Sequence, residues 1–120
     1  MTIRRMKTYT GATGYVYQYY FVGKRPAIGD AHPAATQEFV FDVTSDRKTM
    51  FAASVFMRKD AVQHWAAEHG RELTDTEQYA AAKMRLFQGF DEIADMREGG
   101  RRLVVDASNI GPLLADLHLE

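Results

Sequence analysis

Cysteine is absent from the 120 residues, which removes disulfides, thiolate nucleophiles, iron–sulfur clusters and Cys-based zinc sites together. No stretch approaches the roughly 18 consecutive apolar residues that a membrane-spanning helix needs. Charge of one sign is lacking too: 15 Lys and Arg stand against 16 Asp and Glu, a formal net charge of -1, so no overall field draws the chain to nucleic acid or an anionic membrane. The start, MTIRRMKTYTG, has positive charge but no apolar run behind it, so no secretory leader is expected and the expected location is cytoplasmic. Repeats, low-complexity tracts and linkers are missing as well.

What remains has the composition of a folding chain, with 46% hydrophobic and 26% charged residues. The length suits one domain with a real core. Residues 15–22, YVYQYYFV, are dense in aromatic and β-branched side chains, which suit a pleated surface better than a helix. As a strand they place Tyr15, Tyr17, Tyr19 and Phe21 on one face and Val16, Gln18, Tyr20 and Val22 on the other. Both faces ask for cover, and the pattern leaves open which one points inward.

GATG before this strand offers turn chemistry for a hairpin with residues 3–10. After it, Pro26, Gly29, Asp30 and Pro33 mark a long loop. EFVFDV alternates as a half-buried strand, and TMFAASVFM supplies the next strand of a meander. The period then changes. Asp60 with Gln63 has capping-box spacing for a short helix ended by Gly70, with Val62, Trp65 and Ala66 as its apolar stripe. Thr74 with Glu77 opens a longer helix over 75–96, whose Tyr79, Ala82, Leu86, Phe90 and Ile93 recur at helical steps. A short strand over 103–105 and a final helix containing Pro112 complete the chain. The expected class is α+β: a mostly antiparallel sheet of four to five strands, the long core helix packed across one face, and two shorter helices.

No motif names a reaction. GYVYQY, residues 14–19, resembles the aromatic strand signature of RNA-recognition motifs, whose rings stack single-stranded bases. Thr13 stands where that signature has a basic residue, Val16 where it has a small one, and no helix precedes the strand, so nucleic acid is not the expected partner. Asp60, His64 and Glu68 recur at helical steps of four, yet this is the composition of any solvated helix face, and no metal site or cofactor is expected. The remaining histidines, with Asp42, Asp106 and Ser108, are not organised by any nucleophile elbow or metalloprotease spacing. GATG leads into a strand and lacks a following Lys-Ser or Lys-Thr pair, which excludes a phosphate loop.

The expectation is a homo-oligomeric binding or interaction module, a dimer by preference, acting through an aromatic sheet face made of Tyr15, Tyr17, Tyr19 and Phe21. The alternative is a small-molecule-binding protein or small enzyme with a pocket between the sheet and the long helix. In either case the loop over 24–36 borders the site, with Arg25, Asp30 and His32 as its polar groups.

Overall fold

The computed structural model describes residues 6–12, 14–27 and 35–115. Its elements run β1 (Lys7–Thr10), β2 (Val16–Pro26), β3 (Gln37–Thr44), β4 (Phe51–Met57), α1 (Lys59–His69), α2 (Asp75–Glu92), α3 (Met96–Gly99), β5 (Arg102–Val105) and α4 (Ile110–Ala115). The strands form one sheet in the order β1-β2-β3-β4-β5. The first four make an antiparallel meander, and β5 returns parallel to β4. This is the α+β layout expected, and among the described residues no helix is long and apolar enough to cross a membrane.

One face of the sheet carries the core. Tyr17 and Tyr19 of β2, Phe39, Phe41 and Val43 of β3, the alternate residues of β4 from Phe51 to Met57, and Leu103 and Val105 of β5 all point into a single apolar cluster. Trp65 of α1, Leu86 and Phe90 of α2, and Leu113 and Leu114 of α4 meet them from the helical side. Each large side chain buried there contributes about 1.5–3 kcal/mol.

The long helix lies along the aromatic strand. Tyr17 stacks on Phe90 with ring centroids 4.3 Å apart, Tyr19 meets Phe87 edge-on at 5.5 Å, and Phe21 meets Tyr79 edge-on at 4.9 Å. As β2 advances, α2 runs backward. Offset stacks and edge contacts are the arrangements that ring quadrupoles favour.

Several boundaries differ from the sequence reading. Lys24, Arg25 and Pro26, read as the start of the loop over 24–36, belong to β2 because they go on pairing with Phe39, Glu38 and Gln37, and the strand read over 49–57 begins at Phe51. The helices differ for local reasons. The short helix begins one residue before Asp60, with Arg58 as N-cap and no side-chain cap; Asp60 turns to the Arg58 guanidinium at 2.8 Å instead. Its buried residues are Ala61 and Trp65. The long helix stops at Glu92, so it spans about 27 Å. Asp95 then caps a separate turn by accepting from the Glu98 N–H.

Candidate ligand-binding groove

The aromatic face of β2 is largely consumed by the core. Tyr17 is 2% and Tyr19 3% exposed, so neither offers surface to a partner, and a charge placed at either would enter the core. Tyr15 precedes β2 and is exposed. Phe21 is half-buried, and it marks the point where the helix runs out.

Beyond Phe21 the ladder between β2 and β3 continues for several residues, while α2 has its first residue at Asp75. The overhang leaves a groove of about 400 Å³ lined by Phe21, Lys24, Phe39, Asp75, Thr76 and Tyr79. That volume lies within the range of small-molecule sites.

A bulge decides which side chain enters. Phe21 pairs with Phe41, but the next pair is Gly23 with Val40, so one extra residue is inserted at Val22. Alternation is reversed from there on. Lys24 therefore shares a face with Phe39, and its ammonium sits 5.8 Å above that ring. Arg25 passes to the opposite face of the sheet, where its Nε donates to Glu38 at 2.9 Å.

Charge at the mouth is balanced and loosely held. Lys24 Nζ lies 3.6 Å from an Asp75 carboxylate oxygen, with the Asp75 side chain 90% exposed and the Lys24 side chain 40% exposed. Such a pair holds its partners weakly. Thr76 makes no side-chain hydrogen bond among the described residues. Burial raises the Tyr79 pKa above that of a free phenol, so its hydroxyl stays protonated throughout the neutral range.

Of the residues expected at a site, Phe21 lines the groove, Tyr17 and Tyr19 are buried in the core against Phe90 and Phe87, and Tyr15 and Arg25 lie elsewhere. Asp30 and His32 fall outside the described residues. Sequence reasoning did not assign Lys24, Phe39, Asp75, Thr76 or Tyr79 to a site. Gly23 inside an aromatic strand was the one signal of the bulge that brings Lys24 inward. The polar stripe of α1 places the His64 ring against the Glu68 carboxylate, while Asp60 pairs with Arg58. Compared with known proteins, the chain matches no family model, no curated protein and no solved structure.

Proposed function

We propose that this chain is a small-molecule-binding domain whose ligand is an amphipathic carboxylate, with an aromatic or branched apolar body. The observation that carries the reading is the groove itself: three rings, Phe21, Phe39 and Tyr79, around open space beside the Lys24 ammonium. The rings take the apolar body by area burial and ring contacts. Lys24 takes the acidic group, and Asp75, nearly all of it in water, swings aside at small cost. The start of α2 favours negative charge at the same end, and the Thr76 hydroxyl is available to donate.

Calorimetric titration with 4-phenylbutyrate and 4-phenylbutylamine tests this directly. The acid is expected to bind at least about tenfold more tightly than the amine, a difference of about 1.4 kcal/mol. Phe21→Ala should weaken both, and Lys24→Gln should erase the preference. Tighter binding of the amine would reverse the charge assignment. No binding of either compound, or binding indifferent to Phe21→Ala, would remove the groove as the site.

A further inference from the structure

The groove lies beside an open edge of the sheet. β1 pairs with residues 16–19 of β2, while β2 runs on to Pro26 with β3 along its other side. Along residues 22–26, no strand among the described residues covers the side of β2 that β1 takes up. One hydrogen bond fixes which way the backbone points there. The Ala27 N–H donates to the Thr36 carbonyl at 2.9 Å, and these two residues stand opposite each other in the register that pairs Pro26 with Gln37. Hydrogen-bonded and non-hydrogen-bonded pairs alternate along an antiparallel ladder. Arg25 with Glu38 is then a hydrogen-bonded pair and Lys24 with Phe39 is not, so the N–H and the carbonyl of Lys24 both point away from β3 to the open edge. Among the described residues neither group has a hydrogen-bond partner.

Lys24 thus presents an ammonium on the groove face and, at the rim, a backbone donor and acceptor side by side. A residue laid along the edge opposite Lys24 exchanges both backbone bonds with it, and its side chain stands on the same face as the Lys24 side chain, the face of Phe21, Phe39 and Tyr79. The edge holds a single residue in this way. The next outward-pointing position toward the strand end is Pro26, which has no N–H to donate. In the other direction the bulge at Val22 breaks the alternation.

We propose that the ligand is an apolar α-amino acid acylated on its nitrogen. Its amide N–H donates to the Lys24 carbonyl, its carboxylate accepts from the Lys24 N–H and ammonium, and its side chain enters the space between the three rings. This rests on the reading of the groove as a carboxylate site and narrows that reading to one ligand class.

Calorimetric titration with N-acetyl-L-phenylalanine and with 3-phenylpropionate, which differs only in lacking the acetamido group, tests the assignment. The acetyl amino acid should bind at least about tenfold more tightly. Its N-methylated form, with no amide hydrogen to donate, should lose that gain. N-acetyl-D-phenylalanine should lose it too, because pairing its backbone with Lys24 turns its side chain away from the rings. Lengthening the ligand to acetyl-Ala-Ala-Phe should change affinity by less than about threefold, since Pro26 ends the pairing. Equal binding of N-acetyl-L-phenylalanine and 3-phenylpropionate would overturn this inference and leave the carboxylate groove standing, whereas no binding of either would remove both. A larger gain from the tripeptide would overturn it as well, by showing that a peptide strand and not a single residue is held at the edge.

Discussion

Gly11 shows how much one missing methyl can matter. The hairpin between β1 and β2 passes so close to the end of α2 that a Cβ on Gly11 would stand 2.6 Å from the Phe90 carbonyl oxygen. That atom belongs to backbone and cannot rotate away. The same hairpin is tied to the helix by Asp91, which accepts from Tyr9 Oη at 2.9 Å and from the Ala12 N–H at 2.9 Å. Gly11→Ala is therefore expected to cost about 1–3 kcal/mol as an overpacking change. Gly23→Ala is the matched comparison, because a Cβ there meets nothing within 4 Å. Denaturant midpoints measure both, and equal losses would show that space at Gly11 is not the constraint. The sequence offers GATG only as a turn. That its first glycine is needed for an approach to a helix eighty residues away was not legible, since nothing local encodes it.

Among the elements, the start of the long helix was the most legible feature and its end among the least. Thr74 accepts from the Glu77 N–H at 3.1 Å, and the Glu77 carboxylate accepts from the Thr74 N–H at 2.9 Å, the reciprocal pair that the TDTE spacing announces. Ile93 keeps the apolar period past the last helical residue, so the pattern alone runs through the stop at Glu92. Asp95 with Glu98 three residues on was the signal of a new cap. Glu77 also gives the cap a pH dependence. The Arg71 guanidinium, and after it the Thr74 N–H, hold its pKa down to about 2 from the ordinary 4.5. A depressed folded pKa means that the contribution is fully present above about pH 4.5 and is lost as pH falls through about 2. Wild type and Glu77→Gln should accordingly differ most in urea midpoint near pH 6, and the gap should close as pH approaches 2. A gap that stays constant with pH would show that the ionised carboxylate contributes nothing to the cap.

At the scale of the molecule, the meander, the class and the packing of the long helix across the sheet follow from alternation and period. The facing of β2 does not. Val16, Tyr20 and Val22 are as suited to burial as Tyr17, Tyr19 and Phe21, and what separates them is the position of Phe87 and Phe90 on a helix far along the chain. The groove was less legible still, because it arises where a bulged strand outruns its helix. The parallel return of β5 has a different consequence, which concerns the order of events in folding. Strands β1 to β4 close through connections between neighbours, whereas β5 meets β4 only after residues 58–101 have been gathered in, and the entropy of that closure is met before any contact rewards it. The meander is then expected to form first and β5 to join it late. Leu103→Ala should lose about 2–5 kcal/mol of stability almost entirely through faster unfolding, while Phe41→Ala, inside the meander, should slow refolding. Stopped-flow chevrons resolve the two, and slowed refolding in the Leu103 variant would place β5 in the nucleus instead. If β5 joins last, hydrogen exchange should show the β4–β5 ladder losing protection before the central β2–β3–β4 ladders do.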